Sequence, residues 1–269
     1  MSVLFSLVKD LLFSKPKPVA VDADKANPPL RPEPLPIKFY KSREKIRLVV
    51  ATRETKEDFY SRTAMGRYLS LYNLPFVELH LQDQNSQGLP VTYNRAIEAS
   101  RSSPAIMVFV HDDVQLCDFF WPDRIFDSLD QFQLVGLAGN KRRVPNQPSW
   151  AFLDTKLTWD FPENLSGAVG HGKGFPPVNL SNFGTPCQEV KLLDGLMLIA
   201  RSETLIRSGL RFDEDFAFHF YDLDICRQAE LKGIKMGTWS ISVVHESGGN
   251  FGSAPWLASY EKYLKKWGN

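Results

Sequence analysis

The stretch Ala105-Ile106-Met107-Val108-Phe109-Val110-His111-Asp112-Asp113-Val114 decides the fold of this 269-residue chain. It begins as an unbroken apolar run of strand length and ends in two adjacent carboxylates, those of Asp112 and Asp113. Such a run is typical of a strand buried on both faces, as in a parallel sheet covered by helices. Because paired carboxylates cannot stay buried without partners, we expect them to emerge at the carboxyl end of the strand.

The carboxyl edge of the sheet is where ligands bind in open α/β folds. Two carboxylates at this edge suit a hard divalent cation, and a cation there would suit phosphates. The same residues also fit a buried strand followed by an acidic surface turn. This stretch alone therefore indicates a fold and leaves open whether the carboxylates form a site.

The composition bounds the class of protein. Hydrophobic residues make up 43% of the chain, enough for a sizeable core, and the net charge of +1 gives no reason to expect a nucleic-acid partner. Its cysteines, Cys117, Cys187 and Cys226, are far apart and form no CxxC pair. We therefore expect neither a disulfide framework nor a structural zinc site, and we predict a cytoplasmic protein.

The first forty residues are predicted to stand apart from the rest. Residues 1–14 have apolar side chains at helical spacing and predict a short amphipathic helix, which either docks on a protein surface (its own or a neighbouring subunit) or attaches reversibly to a membrane surface. The apolar run is too short and interrupted to span a bilayer, and it lacks the features of a signal peptide. Seven prolines follow, so we predict a linker over residues 15–40 and one domain over residues 41–269.

The first part of that domain alternates strands and helices. A helix is expected to begin after Thr55 as its N-cap and to carry Phe59, Gly66 and Leu69 on one face. Another has Pro90 in its first turn. The predicted strands are Ile46–Arg53, Phe76–Leu81, Ala105–Val110 and Leu134–Ala138, and a further helix is predicted over Pro122–Asp130. This alternation predicts an α/β fold with a mostly parallel sheet covered by helices on both faces.

Residues 140–190 show no persistent period and are rich in Gly, Pro, Asn and aromatic residues. We expect this long irregular segment to be functional or mobile, and its aromatic side chains to line a binding surface or to fill a core. Its aromatic residues include Trp150, Trp159, Phe161 and Phe175.

Regular structure is predicted to return at Leu192–Ala200, a buried strand, followed by a helix from Ser202. A helix over Asp222–Lys232, ended by Gly233, precedes a strand over Ile234–Trp239. The last predicted helix carries Trp256, Tyr260, Tyr263, Leu264 and Trp267 on one face. It either docks on the protein or lies on a membrane surface.

Acidic residues and one histidine occur where predicted strands end or helices begin: Asp112 and Asp113, Asp194, Asp222 and Asp224, and His245. Each alone would be a common cap or structural residue. In this order, in an α/β chain, they resemble the GT-A glycosyltransferases, and among these the family-2-like group related to the streptomycin-biosynthesis StrF domain.

The resemblance extends from about Ile46 to Gly249 and rests on seven motifs in the right order. They are Gly88-Leu89-Pro90 with Tyr93-Asn94-Arg95-Ala96-Ile97, Phe109-Val110-His111-Asp112-Asp113-Val114, Leu165-Ser166-Gly167-Ala168-Val169-Gly170-His171-Gly172, Asp194-Gly195-Leu196-Met197, Phe212-Asp213-Glu214, His219-Phe220-Tyr221-Asp222-Leu223-Asp224-Ile225-Cys226, and Val244-His245-Glu246-Ser247-Gly248-Gly249.

The resemblance implies a GT-A, Rossmann-like fold and a divalent metal. His111-Asp112-Asp113 takes the place of the family's DXD motif, so Asp112 is expected to meet the ribose or the sugar. Asp113 would hold the metal that bridges the diphosphate, and His245 resembles the family's late metal-site histidine. Mixed carboxylate and imidazole ligands favour Mn²⁺ over Mg²⁺, which prefers oxygen alone.

The other site residues that the resemblance implies concern the donor and the base. Thr52 and Arg53 lie where the nucleotide base and ribose are bound, and Asn94 and Gly195 belong to donor-binding motifs. Asp194 precedes a loop that approaches the donor sugar and the acceptor. Asp222 is the expected general base. Because Tyr221-Asp222 replaces the family's Glu-Asp, Asp224 remains an alternative to Asp222 as the base.

The predicted function is an inverting, metal-dependent transfer of a sugar from a nucleotide-diphospho-sugar, with UDP as the expected nucleotide. The expected acceptor is a hydroxyl of a glycan or a lipid-linked molecule, and the protein is cytoplasmic or peripheral at a membrane surface. The alternative is a catalytically inactive nucleotide-sugar-binding module of a glycan-assembly complex. A nucleotidyltransferase would need a Gly-rich basic loop after the first strand, which Ala51-Thr52-Arg53-Glu54 does not provide.

Overall fold

The computed structural model describes residues 44–268, and its main sheet contains the buried run that the sequence marks out. Strand β3 (Ile106–Val110) pairs in parallel with β1 (Ile46–Ala51), which pairs in parallel with β2 (Val77–Gln82). Every residue of β1 and β3 is buried, as expected for strands covered on both faces. The predicted helix over residues 1–14 and the predicted linker over residues 15–40 precede this range and lie outside the described residues.

The rest of the main sheet lies on the other side of β3. Strand β10 (Met197–Arg201) runs antiparallel to β3 and to β5 (Leu134–Gly136), and β11 (Met236–Thr238) is parallel to β5. The order is β11-β5-β10-β3-β1-β2. The prediction of a mostly parallel sheet is confirmed, with one reversed strand in its middle.

A second sheet was not predicted. Its path is β4 (Val114–Leu116), β12 (Val243–His245), β7 (Leu165–His171), β6 (Ala138–Asn140) and β9 (Leu192–Leu193), and β8 (Asn179–Gly184) pairs with β7. It is mostly antiparallel. The expectation that residues 140–190 lack regular structure is therefore wrong. Glycine-rich β7 and exposed β8 carry no apolar alternation by which the sequence would mark them as strands.

Two of the predicted strands are in fact shared between the sheets. The run Leu134–Ala138 divides at Leu137, so that β5 enters the main sheet and β6 the second sheet. The run Leu192–Ala200 divides at the Asp194-Gly195 turn, between β9 and β10. An apolar run gives no sign of such a crossing, because both halves are buried. The crossings nevertheless decide where Asp194 lies.

The helices of the described residues are α1 (Lys56–Arg62), α2 (Ala64–Leu71), α3 (Leu89–Ala99), α4 (Trp121–Leu129), α5 (Ser202–Ser208), α6 (Tyr221–Leu231) and α7 (Ala254–Trp267). Thr55 is the N-cap of α1, as predicted, and its hydroxyl accepts a hydrogen bond from the Asp58 amide at 3.1 Å.

The single helix predicted after Thr55 is instead the pair α1 and α2. Thr63 separates them: its hydroxyl donates to the Phe59 carbonyl at 2.8 Å and accepts from the Gly66 amide at 3.0 Å. A Cβ at Gly66 would lie 1.9 Å from the Phe59 carbonyl oxygen, so only glycine allows this close turn. The helical spacing of Phe59 and Leu69 does not reveal the break, because Thr63 serves both helix ends.

Helix α7 docks on the protein, which is the first of the two alternatives left open by the sequence. Trp256 and Tyr263 are buried, and the ring of Phe220 packs against both. The helix thereby covers the beginning of α6.

Asp224 is fully buried and holds the end of α7 through hydrogen bonds. It accepts hydrogen bonds from Lys266 Nζ at 2.6 Å, from Trp267 Nε1 at 2.7 Å and from Gln228 Nε2 at 2.7 Å. Arg227, three residues along α6, does not pair with Asp224; its guanidinium lies over the Trp267 ring, 4.9 Å from the ring centroid.

We predict that Asp224→Asn lowers the free energy of unfolding by about 2 kcal/mol, because it removes the charge that Lys266 and Trp267 meet in a buried position. Asp215→Asn, which makes the same change to an exposed carboxylate, is the control and should change that free energy by less than ~0.5 kcal/mol. Chemical denaturation measures both values. Equal stability of the two variants would show that Asp224 does not anchor α7.

Candidate functional site

A cavity of about 1260 Å³ opens at the carboxyl ends of β1 and β3 and is closed on its other sides by the second sheet and by the beginning of α6. It is the edge at which the sequence placed a ligand site. The predicted site residues that line it are Thr52, Arg53, Asp112, Asp113, Asp194, Gly195, Asp222 and His245. The fold therefore brings together residues that are almost two hundred positions apart.

A cluster of potential metal ligands lies at one side of this cavity. One ligand atom each of His111, Asp113 and His245 lies within 4.8 Å of the others. His111 and Asp113 come from the turn after β3, and His245 is the last residue of β12. The paired strands β4 and β12 hold the two parts together, with His245 opposite Val114.

The electrostatics of the cluster fit a divalent cation. Asp113 Oδ1 is buried and accepts no well-formed hydrogen bond, although His245 Nε2 lies 3.3 Å away. Burial alone would raise the pKa of Asp113, but the interaction with His245 and the nearby His111 outweigh it and hold that pKa at about 2. An ionised carboxylate with an unused lone pair beside two imidazoles is a donor set that Mn²⁺ accepts.

His111 is held in the form that a metal ligand needs. The Tyr221 hydroxyl donates its proton to the Gly195 carbonyl at 2.8 Å and lies 2.8 Å from His111 Nε2. Since that proton is already used, His111 Nε2 donates to the Tyr221 oxygen, and Nδ1 keeps its lone pair. Burial also lowers the pKa of His111, which favours the neutral ring.

Asp112 is turned toward the end of β1. It accepts a hydrogen bond from the buried Thr52 hydroxyl at 2.6 Å, and burial raises its pKa. Arg53, the next residue after Thr52, is exposed at the cavity mouth. Two adjacent carboxylates thus have separate environments, Asp112 with a hydroxyl and Asp113 with two imidazoles.

Asp194 and Asp222 form a second acidic pair in the cavity. Asp222 accepts hydrogen bonds from the Leu223 amide at 2.9 Å and from the Gly195 amide at 3.2 Å, so it links α6 to the turn that holds Asp194. Partial burial raises the pKa of Asp222 to about 7, and the negative charge of Asp194 contributes to the shift. A carboxylate in this range can exchange a proton near neutral pH.

The two candidates for the base have different surroundings. Asp222 lines the cavity, whereas Asp224 lies outside the cavity lining and is bound to α7. Asp222 is also not a simple N-cap, because the N-cap position of α6 is Phe220, in a left-handed conformation with φ of 67°.

Asn94 is the one predicted donor-binding residue that the structure does not bring to the cavity lining. Its side-chain amide donates to the Phe212 carbonyl at 2.8 Å and to Glu214 at 3.0 Å, and its oxygen accepts from the Phe212 amide at 3.1 Å. Asn94 therefore fixes the loop that leads to α6.

Two side chains of this site have a role that the sequence does not predict. His111 belongs to the His111-Asp112-Asp113 motif, but only Asp113 and His245 are predicted as metal ligands. Tyr221 is predicted only as a departure from the family's pattern, yet it joins His111 to Gly195. Trp150 lines the cavity, in agreement with one of the two alternatives predicted for the aromatic residues of its segment, and its indole N–H donates to Asp194 at 2.6 Å.

Comparison with known proteins gives a family for most of this chain. The model of a family described as "Glycosyltransferase like family" matches residues 77–265, which include every predicted site residue except Thr52 and Arg53. No match is found among curated proteins. The family match, with the α/β architecture above, confirms the predicted GT-A fold. The relation to the StrF group stays a prediction.

Solved structures also match. One is GalNAc-T7 with UDP, GalNAc and Mn²⁺, at 11% identity and a TM-score of 0.45, over 83% of this chain and 48% of that one. Another is the protein A197 from STIV, at 9% identity and a TM-score of 0.42, over 73% of this chain and 82% of that one. Among the described residues, no helix is long and apolar enough to cross a membrane.

We predict that the protein binds one Mn²⁺ ion and that His111→Ala, Asp113→Ala and His245→Ala each weaken binding by about tenfold or more, because each removes one of three ligands. The loss of the free Mn²⁺ signal in electron paramagnetic resonance measures the affinity. His80→Ala, on β2 and outside the cavity lining, is the control. Equal affinities of the control and the three ligand variants would contradict the site.

Proposed function

The chain belongs to the glycosyltransferase-like family, and from this premise we propose that it is an inverting, metal-dependent hexosyltransferase. Its donor would be a nucleotide-diphospho-sugar with UDP as the nucleotide, and its acceptor a hydroxyl group in glycan or glycoconjugate assembly. The cluster of His111, Asp113 and His245 beside the acidic pair Asp194 and Asp222 is the observation that supports this proposal.

The charge of the cavity supports a metal-dependent donor site. Asp112, Asp113, Asp194 and Asp222 all line it, so a free diphosphate would meet net repulsion. A cation held by His111, Asp113 and His245 would remove that repulsion and, when bound, would act as a Lewis acid toward the departing diphosphate. Mn²⁺ fits this mixed donor set better than Mg²⁺.

Thr52 and Asp112 would orient the donor at the carboxyl end of β1, next to the cluster of His111, Asp113 and His245. The Thr52 hydroxyl fixes one oxygen of Asp112, which leaves the other available to a ribose or sugar hydroxyl. Arg53 is exposed beside them, where its guanidinium would meet the nucleotide. Gly195 turns its amide to Asp222 and its carbonyl to Tyr221, so its role would be to position these two side chains.

Asp222 would act as the general base. The acceptor oxygen forms its bond to the anomeric carbon as the bond from that carbon to the diphosphate oxygen breaks, and the hydroxyl proton passes to Asp222. A direct attack from the opposite face inverts the configuration. Asp194 would keep Asp222 basic by its negative charge while its own oxygens stay bound to Trp150 and to the Leu196 amide.

The proposal covers residues 44–268, which the structure describes. A cytoplasmic location and a membrane or subunit contact through residues 1–14 remain predictions from the sequence. So does the lipid-linked or glycan character of the acceptor. The alternative of an inactive binding module would keep the metal and donor contacts and lose only turnover, so it is separated from an enzyme by the reaction itself.

Slow hydrolysis of the donor tests the function without knowledge of the acceptor. We expect release of UDP from at least one UDP-sugar of a panel in the presence of Mn²⁺, and no release in the presence of a chelator, because the diphosphate then meets the carboxylates directly. His245→Ala should abolish the release, and His80→Ala should not change it. Tight UDP binding without any release would favour the inactive module.

The pH dependence tests the base. Asp222 must be ionised to accept a proton, and its raised pKa of about 7 means that the protonated form dominates below that pH. We therefore expect the turnover number to rise with pH through about 7 and then level off. Asp222→Asn should lower it by ~10²–10⁴-fold and leave UDP and Mn²⁺ affinity near the wild-type value.

Asp224→Asn is the matched control for this prediction, because the same change two residues away affects a carboxylate that faces α7. It should lose stability and retain the pH profile. A larger loss of turnover in Asp224→Asn than in Asp222→Asn, or near-normal turnover in Asp222→Asn, would overturn the assignment of the base.

A further inference from the structure

One side of the cavity is formed by aromatic rings that the donor and metal chemistry above does not use. We name it the aromatic wall, and its members are Trp150, Phe152, Trp159, Phe183 and Phe251, all of which line the cavity. The rings pack directly on one another. Trp150 and Phe183 meet at 4.8 Å between centroids, as do Phe152 and Trp159.

The wall presents a face to solvent inside the cavity. Trp159 is 54% exposed, and its ring lies nearly parallel to that of Phe183, at 6.0 Å and 24°. An exposed indole leaves apolar surface in water, which is unfavourable. A patch of this kind within a polar cavity is typical of a ligand-binding surface.

The wall is connected to the proposed base by a series of direct contacts. Trp159 lies on Phe183, Phe183 packs against Trp150, and the Trp150 indole N–H donates to Asp194 at 2.6 Å. The next residue, Gly195, donates its amide to Asp222. A ligand on the wall would therefore lie along a surface that ends at the two carboxylates.

Buried polar contacts hold the segment that carries Trp150 and Trp159. Asp160, adjacent to Trp159, is buried and forms an ion pair with Arg142. Asn140 donates one amide group to both Asp160 and the Trp150 carbonyl, each at 2.9 Å. The backbone of the wall is thus ordered before any ligand arrives, which lowers the entropic cost of binding.

We propose that the aromatic wall is an acceptor subsite for a carbohydrate, and that one pyranose ring stacks its C–H face on Trp159 while the rest of the acceptor extends along the wall toward Asp222. This inference rests on the proposed function. A pyranose has an apolar face and a hydroxyl edge, which match an aromatic face bordered by carboxylates. A polyprenyl chain would instead place methylene groups against Asp194 and Asp222, which would cost their solvation.

Saturation-transfer NMR tests the subsite without turnover. The probes are the methyl pyranosides of glucose, galactose, mannose and N-acetylglucosamine, with UDP and Mn²⁺ present. We expect at least one to bind the wild-type protein through its ring protons. Trp159→Ala should weaken this binding by about tenfold, and Trp159→Phe, which keeps a ring, should retain a large part of it.

Phe161→Ala is the matched control, since Phe161 is 62% exposed, two residues away and outside the cavity lining. It should bind the glycoside as the wild type does, and melting curves should show that every variant is folded. Unchanged glycoside binding in Trp159→Ala would overturn the subsite. So would direct binding of a short polyprenyl phosphate or a serine-containing peptide at the wall when no glycoside binds there.

The two proposals fail in different ways. UDP binding without glycoside binding would remove the subsite and leave the proposed function standing. Glycoside binding through Trp159 in a protein that does not bind UDP with Mn²⁺ would overturn the proposed function and, with it, the acceptor role of the wall.

Discussion

The hydroxyl of Tyr221 is the interaction on which the arrangement of the cavity depends. It donates to the Gly195 carbonyl and receives the Nε2–H of His111, so a single oxygen connects the beginning of α6, the turn between the two sheets and the end of β3. The contact is possible only because residue 195 is glycine. A Cβ there would lie 2.5 Å from the Tyr221 oxygen and 3.0 Å from the Asp222 Cβ, and would push both side chains away from the turn.

The second constraint is electrostatic. Four aspartates, Asp112, Asp113, Asp194 and Asp222, line the cavity, and burial lowers the pKa of the neighbouring His111. The fold gives these carboxylates different surroundings. Against the effect of burial, the interaction with His245 and His111 holds the pKa of Asp113 at about 2, whereas burial and the charge of Asp194 raise the pKa of Asp222 to about 7. The same cavity thus contains one carboxylate that stays ionised and one that can exchange a proton near neutral pH.

The sequence predicted the first half of the fold well because its strands are buried on both faces and read as apolar runs. It also predicted the residues that follow those runs, since chain topology alone brings Thr52 and Asp113 to one edge. It could not predict the second sheet. Strand β7 is rich in glycine and β8 is exposed, and the crossings at Leu137 and Asp194 fall inside apolar runs. Phe183 is brought to the cavity by β8, so its place there was equally hidden.

Asn94 shows the limit of carrying a role over from a motif. The resemblance implies that Asn94 binds the donor, but its side-chain amide forms hydrogen bonds with Phe212 and Glu214 instead. Tyr221 shows the reverse case, since a departure from the expected pattern proved to be the residue that joins the parts of the site. In both cases the hydrogen-bond partners, which the sequence does not contain, decide what the side chain does.

We expect one metal ion to bind between the end of β3 and the end of β12, next to a bound diphosphate. Anomalous diffraction from crystals grown with UDP and Mn²⁺ tests this site most directly, because manganese gives its own signal. We predict one strong anomalous peak in contact with His111, Asp113 and His245 and with the phosphate oxygens of UDP. A peak elsewhere in the cavity, or UDP bound there with no peak beside it, would contradict the metal site.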